Sequence, residues 1–318
     1  MTKIYTTIMS YVCVLGGANI DIFAHSHKKI IIHDSNPSTI TTSLGGVGRN
    51  ISENLARLGQ KVFLLTILGD DVNSKLIEDN ANLVGIDLSK SKKISGITPT
   101  YMCMNDVNGD MVLGASDMTI LEHLNQDFVQ DNLPLINGSK AVVIDTNVPQ
   151  IIELVCKKST VPVFLDTVSA SKTKWITQKD FKVFCLKPNV IEAEILSGTT
   201  IQNEQDLKNA MRIIQGKFCQ WVVVTNGKEG VHFYDGKDFG FVPAKKVNAV
   251  NTTGAGDSFF GAMVYGFVNG WDIEKCTHFG CLVASKTVCS NSTVSQEVNK
   301  ELLEQFNKEY KNEQSQNW

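Results

Sequence analysis

The chain is poor in arginine, and this scarcity excludes one large class of function. Only three of its 30 basic residues are arginines, namely Arg49, Arg57 and Arg212, and the formal net charge of the 318 residues is −3. Proteins that bind nucleic acids use arginine forks and a positively charged patch. Because this sequence has neither feature, we expect no nucleic-acid partner.

Long apolar runs and paired-cysteine motifs are also missing. No run approaches the roughly 18 to 20 apolar residues that cross a bilayer, so we expect no membrane partner. The eight cysteines form no Cys-x-x-Cys pattern, and several lie in apolar runs, which favours buried thiols over disulfides or a zinc site. The first ten residues have no apolar core of signal-peptide length, so we expect a cytoplasmic protein.

Strand and helix patterns alternate along most of the chain. The predicted strands cover residues 11–15, 61–68, 141–144, 161–165, 182–186 and 221–224. Helices are predicted to open with Gly45–Asn50 and run to Gly59, over 70–84, to start near 149, 189 and 204, and to cover 256–270, 274–289 and 296–312. Repeated strand-helix units predict an α/β fold with a doubly wound, mainly parallel sheet covered by helices on both faces.

Two segments interrupt this alternation, at about 22–43 and 97–118. The second contains Asn108-Gly109, a strong hairpin signal, and a further hairpin is expected near 232–241. We interpret residues 1–318 as a single domain into which both segments insert to form one small antiparallel flap. Such a flap would cover the carboxyl ends of the parallel strands, where open α/β sheets bind ligands.

A glycine-rich turn near the C-terminus carries the most informative chemistry. Gly254, Ala255, Gly256 and Asp257 precede an apolar helical stretch, so the free N–H groups of the helix start would face an anion. The alternative is an ordinary helix start in which Asp257 only complements the helix dipole. In either case we expect the helix N-terminus to lower the pKa of Asp257.

A second glycine-rich turn also runs directly into a helix. Gly45, Gly46 and Gly48 let the backbone approach a ligand, and the side chain of Asn50 can both donate to and accept from vicinal hydroxyls. A simple turn is the alternative. Neither turn is a Walker A loop or a dinucleotide-binding fingerprint, because the lysine and the acid that those motifs need are missing.

Together with Gly17–Asp21, these two turns resemble the PfkB, or ribokinase-like, family of carbohydrate and nucleoside kinases. The resemblance covers nearly the whole chain and includes the order and spacing of the motifs. Asn189 and Glu192 match the family's Asn-x-x-Glu motif, although a capping pair at a helix start has the same spacing.

The resemblance implies transfer of the γ-phosphoryl group of ATP to a primary hydroxyl. Asp257 would accept the hydroxyl proton, and the backbone at Gly254, Ala255 and Gly256 would stabilise the phosphoryl group. The implied substrate-binding residues are Asn19, Asp21, Gly45, Gly46, Arg49 and Asn50. The implied nucleotide-binding residues are Asn189, Thr225, Asn226 and Gly227. Asn189 and Glu192 would position Mg²⁺ largely through water.

Arg49 has two interpretations. One of the three arginines lies inside a proposed ligand loop, which suggests a use for its planar fork, but a solvent-exposed helix residue is an equal alternative. Asn251 stands where many family members have an aspartate that helps hold a monovalent cation. This departure argues against activation by K⁺.

Within the family, the amino-acid sequences of several segments resemble those of pseudouridine kinases. These segments are Gly16–Asp21, Ser35–Pro37, Gly45–Asn50, Glu53–Gly59 and Ala115–Met118. The alternatives are a family kinase acting on ribose, adenosine or inosine, a non-catalytic sugar or nucleoside sensor, and a nicotinamide-dependent enzyme. We also expect a homodimer through the flap, because the flap segments carry more apolar residues than a thin sheet needs, namely Ile30, Ile31, Ile32, Tyr101 and Met104.

Overall fold

The computed structural model describes residues 10–316. The first nine residues, on which the signal-peptide expectation rests, lie outside this range. Strands and helices are numbered along the chain. The main sheet contains β1 (Tyr11–Leu15), β4 (Lys61–Leu65), β6 (Ile86–Asp87), β10 (Ala141–Asp145), β11 (Val163–Asp166), β12 (Val183–Lys187), β13 (Cys219–Asn226), β14 (Gly230–Tyr234) and β15 (Phe239–Pro243).

The main sheet has the order β15-β14-β13-β12-β11-β10-β1-β4-β6 and is parallel except at β14 and β15. The chain adds strands on one side of β1 and then returns to add β10 on its other side. This topological switch point opens a crevice at the carboxyl ends of β1 and β10. The predicted doubly wound, mainly parallel fold is confirmed.

Alternation of side chains along the strands divides the core into two layers. Val12 and Val14 face one layer of helices, whereas Cys13 and Leu15 face the other. The first layer contains α1 (Val47–Arg57), α2 (Val72–Val84), α8 (Ala255–Val268) and α9 (Ile273–Val288). The second contains α3 (Gln126–Asn137), α4 (Ile152–Lys158), α5 (Ala170–Ile176), α6 (Val190–Ser197) and α7 (Glu204–Phe218).

Helix α10 (Lys300–Gln316) forms an outer layer. Its residues Leu302 and Phe306 pack against Leu58 at the end of α1 and Phe279 of α9. Within the described residues, no helix is both long and apolar enough to cross a membrane. All eight cysteines are free thiols, and six of them are buried.

A four-stranded sheet stands over the carboxyl end of β1. It consists of β2 (Asn19–Ser26), β3 (Ser38–Gly45), β8 (Thr100–Asn105) and β9 (Met111–Asp117), in the order β3-β2-β8-β9. Both hairpins are antiparallel, but β2 pairs with β8 in parallel. The expected flap was wholly antiparallel; the middle pair differs because each hairpin places its first strand at the centre, and these two strands run in the same direction.

Several elements differ from the sequence expectations. The predicted strand 61–68 divides into β4 and β5 (Ile67–Leu68), and β5 pairs with β7 (Lys92–Lys93). Helices α3 and α5 and the 3₁₀ turn Thr119–His123 were not predicted. Pro134 inside α3 weakens its helical pattern, and α5 has only seven residues.

Candidate active site

The turn before α8 has a conformation that requires glycine. Gly254 is the N-cap residue with φ 80°, and a Cβ at this position would lie 2.1 Å from the carbonyl oxygen of Thr293. The N–H of Ala255 donates to the carbonyl of Thr252 at 3.3 Å. Helix geometry leaves the N–H groups of the first turn without intrahelical acceptors, so this end of α8 can bind an anion.

Asp257 lies in the first turn of α8 and is bonded to α1. Its Oδ2 accepts a 2.7 Å hydrogen bond from Nδ2 of Asn50. Burial, followed by the nearby carboxylate of Asp166, raises the pKa of Asp257 to about 7, although Asn50 and Lys187 act in the opposite direction. The expected lowering of this pKa is therefore wrong, because surroundings distant in sequence outweigh the helix end.

A buried ion pair lies beside the same helix start. Lys187 Nζ is 3.0 Å from Asp166 Oδ2, and both residues are almost inaccessible to solvent. The same ammonium group is 3.3 Å from the place where a Cβ of Gly256 would stand. Sequence reasoning missed both residues, since a lysine and an aspartate that each end an apolar strand resemble ordinary strand boundaries.

Arg49 holds the neighbouring Asn50 in place. Its guanidinium group forms an ion pair with Glu53 at 3.0 Å, and its Nη2 donates to Asn50 Oδ1 at 2.7 Å and to Thr293 Oγ1 at 3.3 Å. Arg49 is only 3% exposed, so the interpretation as a solvent-exposed helix residue is wrong. Its planar fork is used to join α1 to the loop that carries Thr293.

Asn19 and Asp21 lie at the start of β2, beside the glycine turn that precedes Asn50. Asn19 Nδ2 donates to Asp21 Oδ1 at 2.5 Å, and Asp21 Oδ2 fills the space that a side chain at Gly45 would need. Burial raises the pKa of Asp21 to about 6, against the lowering effects of Asn19 and Arg49. A carboxylate in this position can accept hydrogen bonds from two vicinal hydroxyls.

Close backbone contact brings the second glycine turn against the end of β1. Gly46 is the N-cap residue of α1 with φ 95°, and a Cβ there would lie 2.4 Å from the carbonyl oxygen of Gly17. The N–H of Gly17 donates to Oδ2 of Asp145 at 3.0 Å. Burial raises the pKa of Asp145 to about 6. Asp145 ends a buried strand at the switch point, a signal that sequence reasoning did not use.

Asn189 and Glu192 form the capping box that was the alternative interpretation. The N–H of Glu192 donates to Asn189 Oδ1, and the N–H of Asn189 donates to Glu192 Oε2, each at 2.9 Å. Thr167 Oγ1 also donates to Glu192 Oε2 at 2.6 Å. These bonds do not use Oε1 of Glu192, so capping does not exclude a ligand role for this carboxylate. Nδ2 of Asn189 is a donor, which can contact a phosphate oxygen but not a cation.

The donor set at this position fits a hydrated divalent ion. Glu192 and Asp166 supply carboxylate oxygens, which Mg²⁺ prefers, and Mg²⁺ usually keeps several waters. Within residues 10–316, no three His, Cys, Asp or Glu side chains are grouped closely enough to form a metal site. Such a small set of protein oxygens would leave most coordination positions of a bound divalent ion to water.

A cavity of about 720 Å³ opens beside the start of α8. Its wall contains Thr225 and Gly227 together with Ala255 and Gly256, so the cavity reaches the anion site. Several apolar residues that sequence reasoning missed line the same cavity, namely Val231, Val247, Phe259, Ala284 and Val288. Its size and apolar lining fit a nucleotide base. Asn226 instead lines a separate cavity of about 610 Å³.

Three comparisons relate the chain to known proteins. Residues 9–300 match the pfkB family of carbohydrate kinases. The chain is 31% identical to the pseudouridine kinase of Escherichia coli K12 over 277 residues, which cover 85% of this chain and 88% of that protein. It is 28% identical to the ribokinase of Bacillus subtilis over 291 residues, which cover 89% and 94% of the two chains. The structure of Arabidopsis thaliana ribokinase complexed with ribose and ATP superimposes with a TM-score of 0.82 at 21% identity, covering 94% and 99%.

Proposed function

The chain belongs to the pfkB family of carbohydrate kinases and is a phosphotransferase with an alcohol group as acceptor, and we propose that this acceptor is the 5′-hydroxyl of pseudouridine. The observation that carries the proposal is the hydrogen bond between Asn50 and Asp257, which joins the sugar loop to the proton acceptor. The similarity to a pseudouridine kinase and the amino-acid sequences of the motifs support the choice of substrate.

We assign the proton transfer to Asp257. Its carboxylate takes the proton of the 5′-hydroxyl while that oxygen attacks the γ-phosphorus, and the bond from the γ-phosphorus to the leaving oxygen of ADP breaks. A pKa raised to about 7 suits a general base at neutral pH. The N–H groups at the start of α8 and the ammonium group of Lys187 stabilise the transferred phosphoryl group.

The substrate is held by groups at the start of β2 and in the turn before α1. Asp21 and Asn19 bind the 2′- and 3′-hydroxyls of the ribosyl ring, and Gly45 and Gly46 allow close approach of the backbone. A buried carboxylate left without hydroxyl partners is costly, so deoxy analogues are poor substrates. Arg49 acts through Asn50, whose oxygen it holds.

The phosphoryl donor in this proposal is ATP, as in the family. Thr225, Gly227 and Asn189 contact the nucleotide, whose base fills the 720 Å³ cavity. Glu192 and Asn189 would position Mg²⁺ largely through water, and the ion would neutralise phosphate charge. We expect no activation by K⁺, because the neutral Asn251 stands where many family members have an aspartate that helps hold a monovalent cation.

A homodimer through the small sheet completes the proposal. Ile40, Met102 and Leu113 share one face of this sheet and are 68%, 51% and 66% exposed. A second copy of this chain covers that face. Tyr101, first counted among the dimer residues, belongs to the opposite face, since it pairs in register with Asp21. A monomeric mass by light scattering at micromolar concentration would refute the dimer.

The deciding experiment measures ADP release from ATP and Mg²⁺ with pseudouridine, uridine, adenosine, inosine and ribose in parallel. The proposal expects the highest kcat/KM with pseudouridine. A strong preference for uridine or ribose would overturn the substrate but keep the kinase. Ligand binding without ADP release from any acceptor would instead identify a non-catalytic sensor.

A further inference from the structure

One face of the small sheet carries aromatic rings beside the substrate carboxylate. Side chains alternate along β2, so Phe23 and His25 point to the same side as Asp21. In the parallel pairing of β2 with β8, Tyr101 is opposite Asp21 and Cys103 is opposite Phe23. Phe23 and Tyr101 therefore share the face of Asp21, which is the face directed toward the proposed sugar site.

The rings of this face form a continuous surface. The centroids of Phe23 and Tyr101 are 6.4 Å apart with the planes at 72°, and those of Phe23 and His25 are 6.5 Å apart at 19°. Phe23 and Tyr101 are both half-buried, so part of each ring remains accessible.

Met111 and Gly114 are the neighbours of the Tyr101 ring on this face. Its hydroxyl group contacts Met111 Sδ at 3.4 Å. Gly114 has no side chain on this face, and a Cβ there would lie 3.2 Å from the same hydroxyl. The absence of a side chain at Gly114 thus leaves room for the ring.

The distance of these rings from Asp21 determines which part of a nucleoside could contact them. Asp21 is proposed to hold the 2′- and 3′-hydroxyls, and the carbon next to C2′ is C1′, which carries the base. Phe23 lies two residues further along the strand, about 6 to 7 Å away. A base attached to C1′ would reach this distance, whereas a free pentose would not.

We propose that Phe23 and Tyr101 form a stacking surface for the planar base and thereby determine the preference for nucleosides over free ribose. The inference rests on the proposed kinase function. Aromatic side chains stack on bases with a contribution large enough to change affinity several-fold to a hundred-fold. Free ribose gains nothing from this surface.

The test compares Phe23→Leu with Phe23→Tyr, which keeps the ring. Pseudouridine and ribose are each measured as substrates and as competitors, so the affinity for ribose is known whether or not it is phosphorylated. For Phe23→Leu we expect the KM for pseudouridine to rise about tenfold with kcat within about threefold, and the affinity for ribose to stay within about twofold. The Phe23→Tyr variant should have the wild-type KM for pseudouridine, because it keeps the ring.

A second readout does not depend on turnover. In the variant Phe23→Trp, pseudouridine should quench the fluorescence of the new indole, and ribose should not. Equal loss of affinity for pseudouridine and ribose in Phe23→Leu, or no loss for either, would overturn the stacking surface while the kinase function stands. Failure of the wild-type protein to release ADP with any acceptor would instead overturn the proposed function.

Discussion

Asn50 Nδ2 and Asp257 Oδ2 are 2.7 Å apart, although 207 residues separate them in the sequence. Asn50 lies in the first turns of α1 and Asp257 in the first turn of α8, and these two helices pack against each other. The hydrogen bond therefore joins the start of α1, which follows β3 of the small sheet, to the start of α8. It also fixes Asp257, the proposed proton acceptor, relative to the loop that is proposed to hold the substrate.

Replacing Asp257 tests its assignment as the base. Asp257→Asn keeps the shape of the side chain but cannot accept the hydroxyl proton, so kcat should fall by about 10² or more. Affinity for ATP should change little, because the anion-binding N–H groups remain. ADP release gives kcat, and equilibrium titration gives the affinity for the nucleotide.

Asp127 provides a matched control for this variant. It is also an aspartate in the first turn of a helix, and it is exposed on α3 away from the site. Asp127→Asn should leave kcat unchanged. Near-normal turnover of Asp257→Asn would remove Asp257 from the catalytic role.

The raised pKa of Asp257 predicts the pH profile. A base with a pKa of about 7 is half ionised at pH 7, so kcat/KM should rise with pH, be half-maximal near pH 7 and level off about one unit higher. Initial rates between pH 5.5 and 9 with saturating ATP would show this limb. A profile already flat from pH 5.5 would contradict the raised pKa.

Replacing Asn50 should shift the pH dependence of kcat/KM. Its hydrogen bond favours the ionised form of Asp257, so Asn50→Ala should move the acidic limb of kcat/KM to higher pH. A purely structural role would lower kcat at every pH without moving the limb. The pH profile of the variant, together with its KM for the sugar, separates these two outcomes.

The sequence predicts the helices and glycine turns that bring the site together, but not the long-range contacts within it. Gly254 and Gly46 can be identified as site residues from the sequence, because close backbone approach and positive φ allow few residues other than glycine. Lys187 and Asp166 are not, because their importance comes from packing at neighbouring strand ends. The pKa of Asp257 shows the same limit, since a local argument from the helix end gives the wrong direction when burial, and then carboxylates distant in sequence, raise that pKa. The parallel pairing of β2 with β8 also depends on a register that neither segment carries alone.

Asp21 should act on substrate binding more than on turnover. Asp21→Ala removes the acceptor for the vicinal hydroxyls, so the KM for the nucleoside should rise about tenfold or more while kcat changes less. Wild-type enzyme should show a similar increase in KM with a 2′-deoxy analogue, and the variant should discriminate less between the two. An unchanged KM would count against the ribosyl assignment.

Arg49 and Arg57 offer a matched pair for stability, because both contact Glu53 from four residues away. The side chain of Arg49 is 4% exposed and that of Arg57 is 23% exposed. Arg49→Lys loses the fork that also holds Asn50 and Thr293, so the free energy of unfolding should fall by about 1 to 3 kcal/mol. Arg57→Lys should cost less than about 1 kcal/mol. Equal losses in chemical denaturation would contradict a specific role for the Arg49 fork.

Alanine substitutions at Gly254 and Gly198 distinguish the effect of backbone strain from the effect of losing the proposed anion site. Both have positive φ, 80° and 70°, and both adopt the left-handed conformation at a helix end. A Cβ at Gly198 meets nothing within 4 Å, so Gly198→Ala should cost only the conformational penalty of about 1 kcal/mol and leave kcat unchanged. A Cβ at Gly254 would lie 2.1 Å from the carbonyl oxygen of Thr293, so Gly254→Ala must displace the turn that aims the first N–H groups of α8. We therefore expect kcat to fall about 10²-fold with a larger loss of stability, because donors moved from the phosphoryl group no longer stabilise its charge. Equal kcat values in the two variants would show that this turn does not contribute to transfer.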